Sequence, residues 1–130
     1  MFSRCCTRGL SVVLEVLYKR AKWREAKAFL NRVKRGELSA CMLHFAVHAI
    51  SAILDEPGLA SRFLREVASW RGLRVIDLPL EEEALAADLA GKVGLDFDDG
   101  LHYYVAKKLD AAIVSYDGDF NGVEGVKRVF

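Results

Sequence analysis

The stretch Leu95-Asp-Phe-Asp-Asp-Gly-Leu-His-Tyr-Tyr-Val-Ala-Lys-Lys-Leu109, followed shortly by Ala112-Ile-Val-Ser-Tyr-Asp-Gly-Asp-Phe120, decides how this chain folds. Its first part reads as a helix that runs to about Leu109. Ala111 to Ser115 is short and almost wholly apolar, as expected of a parallel strand covered on both faces. Asp98 and Asp99 fall in the first turn of the helix, and Asp117 and Asp119 lie just past the end of the strand. In a parallel α/β sheet the ligand crevice lies outside the carboxyl ends of the strands. The late aspartates therefore stand where a site is expected.

Working towards the N-terminus, apolar spacing predicts helices over Val12–Arg20 and Lys22–Arg35, the second with Ala26, Phe29, Leu30 and Val33 on one face. Gly36 suits its C-terminal cap. Leu38–Leu43 is a brief apolar stretch leading into a third helix, His44–Leu54, which Pro57 ends. Leu59–Trp70 is a fourth helix, with Phe63, Leu64, Val67 and Trp70 on one side, and Leu73–Leu78 is a strand. Pro79 with Glu81, Glu82 and Glu83 opens a fifth helix that ends near Gly94. Val126–Phe130 adds a final strand. Strands alternating with helices imply an α/β fold, a three-layer α/β/α sandwich with a mostly parallel sheet, in one domain over residues 1–130.

Composition agrees with that class. At 130 residues and 52 % hydrophobic content the chain can bury a core, and it is too apolar for disorder. No apolar run approaches the roughly 18–20 residues of a membrane span. Met1–Gly9 lacks the pattern of a signal peptide, so the expectation is a cytoplasmic protein with no membrane contact. Cys5, Cys6 and Cys41 form no legible disulfide or zinc pattern, even with His44 and His48 added. The net charge of +1 hides an asymmetry. Residues 1–36 carry ten Lys or Arg and two acids, a balance of +8, whereas the remaining 94 residues balance at −7. A basic region beside an acidic one is compatible with a nucleic-acid surface next to a metal cleft, and equally with solvated helix faces.

Clustered carboxylates repel one another unless a cation or a proton intervenes. Oxygen ligands of this kind suit Mg²⁺ or Mn²⁺, ions that activate water and stabilise charge on a phosphodiester. Two plainer readings stay open: Asp98 and Asp99 also suit helix capping, and Asp117-Gly118-Asp119 also suits a polar turn. His102 is three residues beyond Asp99 and could face the same site. His44 and His48 share a helix face at i, i+4. Tyr103, Tyr104, Trp23 and Trp70 are read as core or interface residues, not base-stacking platforms. A receiver-like domain with an unrelated acidic pocket fits less well, because its acids would cluster after the first strand.

The quoted block resembles the C-terminal half of PIN domains, in which an Asp opens an Ala-rich helix and a strand ends in Thr/Ser-x-Asp-x-Asp-Phe. Asp99 matches the helix acid, Ser115 the hydroxyl position, Asp117 the strand-end acid, and Asp119-Phe120 completes the motif. The resemblance implies a divalent-metal-dependent endoribonuclease, a hydrolase using Mg²⁺ or Mn²⁺. Asp99, Asp117 and Asp119 would be metal ligands, Ser115 would orient a carboxylate or a bound water, and Asp98 would support from behind. Asp99, Asp117 and Ser115 are its implied catalytic residues. Many small members are VapC-type toxins of toxin–antitoxin pairs, which implies RNA and an antitoxin protein as partners. Apolar faces such as Leu59–Trp70 are also compatible with a homodimer.

The N-terminal half departs from the family. Its first strand normally ends in Asp-Thr-Asn, where alignment on Val12–Val16 places Gly9, Leu10 and Ser11, and Met1–Arg8 makes a poor central strand. A helix glutamate is replaced by Ser51, with Asp55 one turn further on as a partial substitute, and Glu15 reads as an exposed helix carboxylate. Two of four expected acids are missing. The alternative function is therefore a catalytically degenerate PIN-like module that binds RNA or a protein partner; a first dozen residues outside the native reading frame would equally explain the gap.

Overall fold

A computed structural model describes residues 4–7 and 9–115, with side chains from Val12 onward. The elements alternate as the sequence implies. They are β1 (Arg4–Thr7), α1 (Gly9–Leu17), α2 (Trp23–Lys34), β2 (Ser39–Leu43), α3 (His44–Leu54), α4 (Pro57–Ser69), β3 (Leu73–Ile76), α5 (Leu80–Val93), α6 (Phe97–Leu109) and β4 (Ala112–Val114). The four described strands pair in parallel in the order β3-β2-β1-β4. The expected strand at Val126–Phe130 lies outside the described residues.

Side-chain alternation along the strands separates two cores. Ala40 and Met42 of β2 and Val114 of β4 pack with α1, α2, α3 and α4. Cys41 and Leu43 of β2 and Ile113 of β4 pack with α5 and α6 on the other face. A strand buried on both sides shows no polar alternation, which is why Ala112–Val114 reads as uniformly apolar. These two cores around one parallel sheet make the α/β sandwich.

Several boundaries differ from expectation, among them α1, which spans Gly9–Leu17 instead of Val12–Arg20. Arg4–Thr7 is a central strand, paired to β2 on one side and β4 on the other, in spite of its two arginine-flanked cysteines. Parallel neighbours on both sides satisfy its backbone donors and acceptors, and that outweighs weak strand propensity. Ser39–Leu43, expected only as an apolar stretch before the third helix, is a strand that runs directly into α3. Pro57 opens α4 instead of merely ending α3, a position where its missing N–H costs nothing. On α4, Val67 and Trp70 face the core, while Leu64 points outward at 41 % exposure.

The α5–α6 pairing fixes the end of the sheet that matters. A Cβ added to Gly100 would lie 2.4 Å from Ala90 Cβ and 3.2 Å from Ala86 O. Only glycine allows this approach. Gly94, in the left-handed conformation at φ 76°, closes α5 and turns the chain into α6.

Candidate active site

The positions around Asp99 follow from topology. Asp110, itself left-handed at φ 51°, and Ala111 form a tight turn between α6 and β4, and α6 packs on β1 and β4. The turn reverses the chain, so the first turn of α6 lies at the carboxyl edge of the sheet. Ser115, the residue after β4, lies at the same edge, because Val114 pairs with Thr7, the last residue of β1. Asp99 is 1 % exposed and Ser115 fully buried. Asp99 and Ser115, two of the residues singled out from the sequence, are thus both buried at the carboxyl edge of the sheet.

The cap of α6 is Asp96, not Asp98 or Asp99. Its Oδ1 accepts the backbone N–H of Asp99 at 3.1 Å, and its carbonyl accepts that of Gly100 at 2.9 Å. Asp96, not Asp99, thus supplies the N-cap side chain of the helix. Asp98 is half-buried on the same turn, and its carbonyl pairs with Nδ1 of His102 at 2.8 Å. His102 is 2 % exposed. Asp96 follows the Gly94-Leu95 turn and precedes the buried acid by three residues, a spacing that suits a cap but does not by itself say which acid is buried.

An ionised carboxylate this deeply buried requires compensating positive potential. The N-terminus of α6 supplies part of it through its backbone dipoles. The oxygen donors of Asp99 and Ser115 fit a hard divalent cation such as Mg²⁺ or Mn²⁺. Among the described residues no group of three His, Cys, Asp or Glu side chains could hold a metal. Asp117 and Asp119, the remaining expected ligands, lie outside the described residues.

Elsewhere the structure corrects the sequence reading. Asp55 caps the far end of α3 in the left-handed conformation and is exposed. It stands eleven residues beyond His44, which starts α3 at the carboxyl edge. At 1.5 Å per residue that is about 16 Å, so Asp55 does not substitute for a site acid. Ser51 donates its hydroxyl to the Val47 carbonyl of its own helix at 2.9 Å. Glu15 is only 6 % exposed, not a solvent-facing carboxylate, and its Oε2 accepts the backbone N–H of Lys22 at 2.7 Å. The rings of His44 and His48 sit 4.2 Å apart, and His44 Nδ1 lies 4.0 Å from Asp77 Oδ2, at the other end of the carboxyl edge. Tyr103 and Trp70 are core residues as expected, whereas Trp23 is half-buried at an exposed corner.

A family model described as PIN domain matches residues 11–126. Comparison with curated proteins gave no match. Among solved structures, a toxin–antitoxin complex from Klebsiella pneumoniae aligns at 13 % identity over 97 % of this chain and 96 % of its counterpart, with a TM-score of 0.73. VapC20 of Mycobacterium tuberculosis, a sarcin–ricin loop cleaving toxin, aligns at 16 % identity over 94 % and 98 %, with a TM-score of 0.67. VapBC2 of Rickettsia felis, bound to a DNA fragment from its promoter, aligns at 10 % identity over 97 % of both chains, with a TM-score of 0.66. At these identities the likeness is one of fold.

Proposed function

The chain belongs to the PIN domain family, and from that premise we propose that it is a divalent-metal-dependent endoribonuclease, the toxin of a toxin–antitoxin pair. The observation that carries this reading is the Asp99 carboxylate, buried to 1 % at the carboxyl edge of the sheet without serving as a helix cap. Asp99, Asp117 and Asp119 would hold Mg²⁺ or Mn²⁺. The ion would supply a nucleophilic water and neutralise charge gathering on the phosphodiester.

This chain's own groups set the stage. The α6 N-terminus and the Asp96 cap fix the Asp99 backbone, and Gly100 seats it against α5. Ser115, buried just past the end of β4, would orient a carboxylate or a water. Asp98 would support the turn from behind, through the bond between its carbonyl and His102. An antitoxin partner is supported by the toxin–antitoxin assemblies among the similar folds.

The experiment is cleavage of single-stranded RNA with Mn²⁺ or Mg²⁺, beside Asp117→Asn and beside EDTA. Cleavage abolished by both supports the reading; cleavage that survives both overturns it.

A second reading has its own observation. Residues 1–14 contain no Asp or Glu, so β1 and the start of α1 offer no carboxylate in any register. Ser51 is spent on its own helix backbone. On this reading the domain binds RNA without cleaving it, and any metal-dependent turnover excludes it.

A further inference from the structure

We propose that the corner between α1 and α2, Tyr18–Arg24, is a preformed surface for an unpaired strand of RNA. This goes beyond the metal site. It takes from the ribonuclease reading only the choice of polyanion.

The corner combines two elements, and the first is a set of aromatic rings among cations. Tyr18 is 59 % exposed with the Arg20 guanidinium 5.4 Å from its ring centroid, and half-buried Trp23 has Arg24 at 4.6 Å and Lys19 at 5.7 Å. Lys19, Arg20, Lys22, Arg24 and Lys27 are all exposed, and none forms an ion pair among the described residues, unlike Lys34 with Glu66 and Arg35 with Glu37. Alternating rings and cations are what a single strand needs, because every base has a π face and every linkage a phosphate. A planar guanidinium stacks on a base as a ring does.

The second element is order. The corner is held by a buried acid and by its own backbone. Arg20 N–H donates to the Glu15 carbonyl at 3.0 Å, Lys22 N–H to Glu15 Oε2 at 2.7 Å, and Trp23 N–H to the Arg20 carbonyl at 3.0 Å. Lys19 takes the left-handed conformation at φ 47° to make the turn. Glu15 is thus committed to fixing the backbone and not to neutralising the cations around it. A merely solvated basic face needs no such anchor. Preordering lowers the entropic cost of binding.

An acidic protein surface would also be drawn by charge. The exposed Tyr18 ring and stacked guanidinium favour nucleobases, and the test separates the two. Binding of a short fluorescein-labelled oligouridylate is followed by anisotropy in EDTA, where metal-dependent cleavage is silent, together with Trp emission. The expected results are a log K against log salt slope of about −3.5 for five cations, and quenching that disappears in Trp23→Phe. Affinity should fall about five- to ten-fold in Tyr18→Ala and at least about thirty-fold in Arg20→Gln/Lys22→Gln/Arg24→Gln, with unchanged melting temperatures.

Equal affinity for heparin with no effect of Tyr18→Ala overturns the proposal, as does preference for duplex RNA or no binding. Self-association through the corner without RNA affinity also overturns it. Because binding is read without metal, loss of this surface and loss of the nuclease reading are scored separately.

Discussion

Asp96 caps α6 by accepting the Asp99 backbone N–H at 3.1 Å, so one acid orders the helix end while the other is buried beneath it. Two carboxylates three residues apart thus do different work. Asp96→Ala should lower stability by about 1 kcal/mol, the usual cost of losing an Asp cap. It should also loosen the Asp99 turn, so nuclease activity should fall further than thermal melting predicts. Parallel melting and cleavage assays check this.

Gly100 is the contact that lets α6 approach α5. Gly100→Ala forces its methyl into Ala90 Cβ and should destabilise by about 1–3 kcal/mol, read by urea unfolding. An unchanged midpoint would mean that the helices separate without cost.

A second tie between these helices is electrostatic. Glu82 of α5 accepts from Lys108 Nζ and, at 2.9 Å, from the Tyr104 hydroxyl, both on α6. The Lys108 hydrogen bond, then that of Tyr104, lowers the Glu82 pKa below its ordinary 4.5, and Glu82 raises those of Lys108 and Tyr104. A carboxyl lowered on folding stabilises above its unfolded value and ceases to as pH falls through the folded one. The melting temperature of Glu82→Gln should therefore lie below that of the parent at neutral pH. The two should converge below pH 4.5, as differential scanning calorimetry across that window would show.

The missing first acid gives a gain-of-function test. Gly9 opens α1 directly beyond β1, at the edge shared with Ser115. Gly9→Asp adds an anionic oxygen there and should tighten Mn²⁺ binding by roughly ten-fold, since affinity for hard cations follows ligand charge. Mn²⁺ paramagnetic titration checks it. No change would place the family's first carboxylate elsewhere.

Much of the layered architecture was legible because buried parallel strands and amphipathic helices write themselves in apolar spacing. His44–Leu54 and the end of α6 at Leu109 match the sequence reading. Arg4–Thr7 was not legible: its strand state comes from neighbours on both sides, which are contributed by residues 39–42 and 112–114. A motif singled out Asp99 and Ser115, and both are buried. The division of labour between Asp96 and Asp99 was not legible, since burial and capping depend on which side of the helix meets the sheet. Glu15 misled for the same reason: its partner is a backbone N–H seven residues away, across a corner that local spacing does not reveal.

The most direct measurement is the Mn²⁺ dependence of cleavage of a single-stranded RNA by the parent chain and by Asp99→Asn, side by side. The account predicts cleavage that saturates with Mn²⁺ in the parent and falls to background in Asp99→Asn, with melting temperature retained. Equal cleavage by the two proteins, or cleavage that persists in EDTA, would contradict it.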